Sequence, residues 1–393
     1  MTRTPHPPAT ATSPFGGDSP LGHLREVLET ASTAASERAR GRFLVLTHRS
    51  PDPDALGACE GLRLLLGEIL GYSVEVATDG PIRRAENLAL VRTLELDLLE
   101  YGEVDTSSYC GALLVDTQPE FGHTVLPVGV SLLALFDHHL PPGGVPAQAP
   151  VGEASDAESP VAFPDPVPHR DVRTGLGSAS AIVWSYLDEA GAALDTATAS
   201  ALFCGVRFDT ADLSRNASPL DEEAYYATFR FSDRAAIARI QHPPLPPIYY
   251  AELHRALALA RQHGSLVIAL LGAVANPESV AETADFLLRM RGCSWVVVGG
   301  AFEQEYVLSL RTDFAFGRAW PLMERVLGGL GTFGGHGQVA GARILLASEA
   351  TGRAGPELEE VEDALRANAL TVMAEPDPRQ PDGASAPVGR PVV

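Results

Sequence analysis

Apolar residues in the first half of the chain come in short unbroken runs rather than in alternation. RFLVLTH (42–48), SVEVATD (73–79), GALLVDT (111–117) and SLLALFDHH (131–139) each predict a strand. Helical stretches separate or follow them. One carries Leu62, Leu65, Leu66 and Ile69, and ASAIVWSYLDEAG (179–191) and ATASALFCGV (197–206) read as two more. Strands without a polar face, separated by helices, predict a parallel sheet covered on both faces.

The pattern changes after QHPPLPPIYY (241–250), a Pro-rich junction. GSLVIALLG (264–272) predicts a strand, ESVAETADFLLRMRG (278–292) a helix, CSWVVVGGAFEQEYVLSLRTD (293–313) two strands joined by a turn, and WPLMERVLGGL (320–330) a helix. The expected fold class is therefore α/β: a parallel-sheet domain followed by a smaller mixed α/β domain. The expected division is a flexible tail and lead-in helix over 1–35, a first domain over 36–235 with a Pro-rich insertion at 141–168, a linker over 236–262, a second domain over 263–350, and a flexible tail over 351–393. The tails are assigned from their Pro, Gly, Ala and acidic content. No internal repeat is found.

At 393 residues the chain is long for a single core and suits two domains. Its net charge of −21 argues against coating an extended nucleic-acid duplex, which needs a basic surface. It leaves open a small polyanionic substrate, because bound cations reverse a local field. All 29 basic residues are arginine, so no lysine nucleophile is available. Cys59, Cys110, Cys204 and Cys293 lie far apart in apolar stretches and read as reduced thiols. Neither a signal-peptide core nor a membrane span is visible, which predicts a cytoplasmic protein with no membrane partner.

The chemistry gathers where the apolar runs stop. His48 closes the first, and Asp52 and Asp54 follow at +4 and +6. Asp116 closes another, and Asp137, His138 and His139 close the last of that group, while Asp209 follows an apolar segment in GVRFDTADLSRN. Carboxyl ends of strands in open α/β sheets form the ligand crevice, so these groups are expected to converge. Such a crowd of carboxylates resists ionisation unless cations neutralise it. Imidazole nitrogen mixed with carboxylate oxygen, without cysteine, suits Mn²⁺ or Mg²⁺. Five or six ligands favour two ions sharing a carboxylate, at a spacing of roughly 3.5–4 Å. A single aspartate after a strand is ordinarily a cap or turn residue, the role expected for Asp79 and Asp105 and open to Asp52 taken alone.

HRSPDPDALG, LLVDTQ, FDHHLP and GVRFDTADLSRNAS resemble, in order and spacing, the four motifs of the DHH phosphoesterase superfamily. GTFGGHGQVAGARI resembles the Gly-Gly-His signature of the smaller domain that accompanies many members. The resemblance implies that His48 and Asp52 hold one metal ion, that Asp54, His138 and Asp209 hold another, and that Asp116 bridges them. It implies that Asp137 supports the histidines and His139 faces the scissile phosphate. The implied fold is a five-stranded parallel domain and a smaller mixed-sheet domain closing over a cleft.

Among the branches of that superfamily, the missing lysines and the FGGHGQVAG stretch disfavour the family II pyrophosphatases. The exonucleases resembling RecJ usually lack the leading His and carry a further domain. The compact branch of nanoRNases and 3′-phosphoadenosine 5′-phosphate phosphatases fits best, with two divalent ions as cofactors and a short oligonucleotide or nucleotide phosphate as partner. A homodimer is compatible with that branch. A single-strand exonuclease, a phosphodiesterase of cyclic or linear dinucleotides, and a catalytically silent nucleotide-binding regulator are the alternatives. In the second domain, Ser309 and Arg311 in LSLRTD and Gly334, Gly335, His336 and Gly337 are expected to hold a terminal phosphate, Arg311 as a bidentate clamp and the glycines through backbone amides. The sequence departs from the motifs at Pro53, Ala211, Phe333 and Val339.

Overall fold

The computed structural model of the chain describes residues 19–121, 124–139, 166–313, 315–348, 352–374 and 389–392. The predicted insertion at 141–168 lies outside these up to residue 165, as do the tail predicted before 19, part of the tail predicted after 351, and the side chain of His336. Two compact units are present: Met1–Ile82 with Glu86–His242, and Pro243–Val393 with Arg83–Ala85. Among the described residues, no helix is long and apolar enough to cross a membrane.

The first unit runs α1 (Pro20–Ala34), β1 (Arg42–Leu46), α2 (Pro53–Leu64), β2 (Ser73–Thr78), α3 (Ala85–Thr93), β3 (Leu98–Glu100), β4 (Gly111–Val115), β5 (Leu132–Asp137) and β6 (His169–Val172), followed by α4 (Ala179–Glu189), α5 (Thr196–Asp209), α6 (Pro219–Phe231) and α7 (Arg234–Gln241). Its strands form one fully parallel sheet in the order β3-β2-β1-β4-β5-β6. The resemblance implies five strands; the sixth is β6, which pairs with β5 from Ala134↔His169 onward.

Burial on both faces explains the unbroken apolar runs. Phe43, Val45, Leu113, Val115, Ala134 and Phe136 face a core shared with Leu21, Leu24 and Leu28 of α1 and with α2 and α4. Their neighbours Leu44, Leu46, Ala112, Leu114 and Leu135 face the opposite core, which Tyr109, Val125 and Leu132 close. That second face is therefore covered largely by connecting segments. Each fully buried Leu or Phe contributes about 1.5–3 kcal/mol, so the three leucines of α1 suffice to dock that helix.

Helices α2 and α5 pack with almost no spacing. A Cβ at Gly57 would lie 2.5 Å from the Ala201 carbonyl oxygen and 2.9 Å from Ser180 Oγ. One at Gly205 would lie 2.1 Å from Ser180 Oγ and 3.0 Å from Asp54 Oδ1. The absent side chains let the start of α2 reach the start of α4.

The second unit runs α8 (Pro247–Leu259), β7 (Arg261–His263), β8 (Leu266–Ala273), α9 (Glu278–Leu288), β9 (Trp295–Phe302), β10 (Glu305–Thr312), α10 (Trp320–Leu327), β11 (Thr332–His336), β12 (Val339–Leu345), α11 (Leu358–Ala374) and β13 (Arg390–Pro391). Its seven-stranded sheet has the order β11-β12-β10-β9-β8-β7-β13. Only β8 and β9 pair in parallel, which makes the sheet mixed as predicted.

Two expectations are corrected here. The linker predicted over 236–262 holds most of α7, which Asp233 caps, all of α8, whose prolines stand at the helix start rather than within it, and the start of β7. The flexible tail predicted from 351 contains α11, whose Val361, Leu365 and Ala369 recur every four residues and are fully buried with Met323 and Val326. The acidic and alanine-rich composition concealed an apolar stripe.

In an exposed helix Gly→Ala is stabilising by roughly 1 kcal/mol. At Gly57 the sign should reverse, because the new methyl meets a backbone carbonyl that cannot swing away. Gly57→Ala is expected to destabilise by about 1–3 kcal/mol, read as a lower urea midpoint with unchanged m-value.

Candidate metal centre

The strand order of the first unit reverses between β1 and β4, and in doubly wound sheets the crevice lies outside the carboxyl ends of the strands at that point. His48 lies two residues beyond β1, Asp116 directly follows β4, and Asp137 ends the adjacent β5 with His138 and His139 behind it. The topology thus places the strand-end groups together.

Local structure sets the remaining members. Asp52 caps α2, its Oδ1 accepting the amides of Asp54 at 2.9 Å and Ala55 at 3.1 Å. Pro53, a departure from the motif, takes the first helical position, where the missing N–H is no loss. Asp54 is fully buried, and its Oδ2 and Oδ1 accept the amides of Ala179 (2.6 Å) and Ser180 (2.9 Å) in the first turn of α4. A carboxylate suits that positive helix end. Asp209 is the last residue of α5, not a strand end, and its carbonyl accepts Arg215 Nε at 3.1 Å and Nη2 at 2.9 Å. Beyond it, Ala211 (φ 47°), Asp212 (φ 56°) and Leu213 (φ 63°) are all left-handed, as is Asp116 (φ 58°).

Three groups of side chains each have candidate ligand atoms within 4.8 Å of one another: His48, Asp52 and Asp116; Asp54, His138 and Asp209; Asp116, His138 and His139. Asp116 belongs to the first and third of these, and His138 joins the third to the second. Its Oδ2 lies 3.6 Å from His48 Nε2 and its Oδ1 3.4 Å from His138 Nε2. His138 Nε2 is also 3.1 Å from Asp209 Oδ2 and 3.8 Å from Asp54 Oδ2. His139 Nδ1 donates to Asp137 Oδ1 at 2.8 Å.

The electrostatics follow from this crowding. Burial, then the charges of Asp209 and Asp116, push Asp52 up to about 6. Burial, then Asp116 and Asp209, raise Asp54 well above the carboxylate range. Burial by itself would lower His48, but its bond to Asp116 and the charges of Asp52 and Asp116 outweigh it and raise the ring to about 9. His138 is likewise raised against burial, by Asp116 and Asp209. Burial would raise Asp116, but the rings of His138 and His48 beside it and the charge of His139 hold it below the usual range.

The residues present fit divalent cations. His48 Nδ1 donates to the Arg49 carbonyl at 2.9 Å and His138 Nδ1 to the Leu176 carbonyl at 3.3 Å. Both rings are thereby fixed with Nε2 toward the carboxylates, the arrangement found in histidines that ligate metals. Asp116 Oδ1 is buried and accepts no hydrogen bond of ordinary geometry. Nitrogen and oxygen donors without thiolate suit Mn²⁺ or a similar ion.

Sequence reasoning missed the groups that hold these ligands. Gln118 and Asp221 are fully buried. Gln118 bonds to Asp137 and to the His139 carbonyl, and Asp221 holds the Gly177 amide and the Ser178 hydroxyl just before α4. Gln118 left a signal in its place two residues after Asp116, and Asp221 left one as the N3 residue of the Ser218 capping box at the start of α6.

The residues expected to bind phosphate in the second unit are differently employed. Arg311 donates Nε to Asp285 Oδ1 at 2.6 Å and Nη1 to Ser309 Oγ at 2.7 Å, and its side chain is only 11% exposed. It is tied into β10 rather than presented as a free clamp. Gly334 and Gly335 lie in the edge strand β11, paired with Gly341 and Ala340, and His336 pairs with Val339. Gly337 (φ 50°) makes the turn of that hairpin, so the glycines form a strand and turn rather than a run of convergent amides.

No family model matches the chain. An uncharacterised protein of Methanocaldococcus jannaschii is 28% identical over 340 residues, covering 86% of this chain and 65% of that protein. The chain thus spans slightly less than two thirds of that relative's length. The crystal structure of an exopolyphosphatase-related protein from Bacteroides fragilis overlays with a TM-score of 0.62 at 14% identity, over 89% of this chain and 97% of that one. The fold is shared. An overlay on exonuclease RecJ bound to manganese reaches a TM-score of 0.42 at 15% identity, over 94% of this chain and 98% of that one.

Two outcomes follow from this geometry. Ala211→Gly is expected to raise the unfolding free energy by about 1 kcal/mol, the relief of left-handed strain less the added freedom of the unfolded chain, measured in urea. Mn²⁺ at about 100 times its Kd is expected to stabilise the protein by about 2.7 kcal/mol. A thermal melt with and without chelator checks this, and Asp116→Ala should remove most of the response.

Proposed function

We propose that this chain is a divalent-metal-dependent phosphoesterase of the DHH superfamily that hydrolyses phosphate esters of short oligonucleotides or nucleotides. One observation carries the proposal: Asp116 is common to two ligand groups, with His48 and Asp52 on one side and with His138 and His139 on the other, and His138 belongs in turn to the group of Asp54 and Asp209. A carboxylate shared between two ligand sets is what a paired-ion site requires. The fold shared with the exopolyphosphatase-related protein supports phosphorus chemistry, and the −21 net charge supports a small substrate over a long polyanion.

Ions held by these residues would lower the pKa of a bound water and offset charge on the phosphoryl oxygens. The imidazole nitrogens of His48 and His138 favour Mn²⁺ over Mg²⁺ in that role. Asp137 holds the His139 proton at Nδ1, and with the ring protonated Nε2 would act as a hydrogen-bond or proton donor to a reacting phosphate. Short RNA fragments and 3′-phosphoadenosine 5′-phosphate are the substrates this reading selects.

The test is a Mn²⁺ assay on dinucleotides, a strand of about twenty nucleotides, 3′-phosphoadenosine 5′-phosphate, pyrophosphate and cyclic dinucleotides. Dinucleotides or the nucleotide phosphate should show the highest kcat/KM, excess chelator should abolish turnover, and Asp116→Ala should lower it by several orders of magnitude with the fold retained. A higher kcat/KM on the long strand would replace this reading with an exonuclease, and full activity in chelator would remove the metal from it.

A further inference from the structure

We infer that Gln118, held in turn by Arg170, is the positioning residue that fixes the His139 ring. The inference deepens the phosphoesterase reading and rests on it for the role of His139.

Gln118 has no contact with solvent, and every polar atom of its amide is engaged. Nε2 donates to Asp137 Oδ2 at 2.5 Å and to the His139 carbonyl at 2.8 Å. Oε1 accepts from Arg170 Nη2 at 2.8 Å. The arginine decides which way the amide faces: a guanidinium can only donate, so Oε1 must turn toward Arg170 and both N–H groups toward Asp137 and His139. Arg170 is itself steadied by β6, which pairs Leu135 with Arg170, and by Glu120 at 3.6 Å.

The consequence lies in Asp137. Its carboxylate is fully buried, with Oδ1 taken by His139 Nδ1 at 2.8 Å and Oδ2 by Gln118. Gripping Oδ2 stops rotation about the carboxyl plane, so Oδ1 stays where it holds the ring nitrogen. The second N–H holds the His139 backbone, which anchors the ring's other end. Without Gln118, Asp137 Oδ2 would be an unpaired buried carboxylate oxygen beside Asp116, whose Oδ1 lies 3.7 Å from the same His139 Nδ1 and would compete for it. Two acceptors for one proton give two ring orientations; Gln118 selects one.

Gln118→Met keeps length and burial but removes the amide. Wild type should show a slowly exchanging, low-field Nδ1 proton by NMR that His139→Ala lacks. Gln118→Met should broaden or lose it, lower kcat by about 10- to 100-fold, change KM by less than about threefold, and leave Mn²⁺ affinity by calorimetry unaltered. In the His139→Ala background the same change should cost little more, since its effect passes through that ring. Arg170→Met, at a half-exposed position, should show the same losses more weakly and stands in should Gln118→Met fail to fold. A retained proton with near-normal kcat, or full additivity with His139→Ala, would overturn the inference and leave the hydrolase reading intact. A wild type that turns over nothing in the panel, with the proton lost in Gln118→Met, would instead overturn the hydrolase reading and keep the positioning role.

Discussion

Everything at the site depends on holding buried carboxylates close together. Two like charges about 4 Å apart repel by about 4 kcal/mol at the effective dielectric of a protein surface, and more where water is excluded. Asp52, Asp54, Asp116 and Asp209 all contribute to such repulsion, which is why burial and mutual charge raise Asp52 and Asp54. The crowd cannot disperse, because most of its members are also structural: Asp52 caps α2, Asp54 pins the first turn of α4, and Asp209 ends α5 under Arg215. Positive charge must come from elsewhere, from the raised imidazoles of His48 and His138 or, in the proposed reaction, from divalent ions.

The cap role and the ligand role of these aspartates are therefore not alternatives. Asp52 offers one oxygen to the α2 amides and remains within reach of His48 and Asp116. Asp54 is held by two helical amides in a fully buried place, where burial and the charges of Asp116 and Asp209 still raise it well above the carboxylate range. That geometry needs α2, α4 and α5 almost in contact, which Gly57 and Gly205 permit. Strain accompanies it at Asp116 and at 211–213, where non-glycine residues hold left-handed backbone.

The second unit is organised on other terms. Its sheet is a stack of antiparallel pairs around one parallel step, and its apolar core is closed by α10 and α11. Arg311 and Ser309 bond to each other within β10, and the arginine is neutralised by Asp285 of α9. A phosphate clamped through Arg311 Nε must displace a carboxylate already bonded there at 2.6 Å. Gly334 lies in the edge strand β11, with open space where a Cβ would point.

The sequence by itself determined strands β1, β2, β4 and β5 of the first unit, helices α1, α2, α4 and α5, and the identity of the clustered groups, but not β3, β6, α3, α6 or α7. Unbroken apolar runs report burial on both faces, and residues that end such runs must lie at one edge of a parallel sheet. It also made α9, the β9–β10 hairpin and α10 legible. It did not reveal α11, because an apolar stripe of one residue in four is diluted by surrounding Glu and Ala, nor α8 in the supposed linker, because proline at a helix start resembles proline in a loop. The hold of Gln118 on Asp137 and His139, of Arg170 on Gln118, and of Asp221 on Gly177 and Ser178 was invisible, because each joins residues 19 to 52 positions apart that no local pattern pairs. The strand order that puts β1 beside β4, the double use of Asp52 and Asp54, and the capture of Arg311 by Asp285 were decided only by tertiary structure. Each depends on which surfaces meet, and a side chain's chemistry is set as much by what packs against it as by what it is.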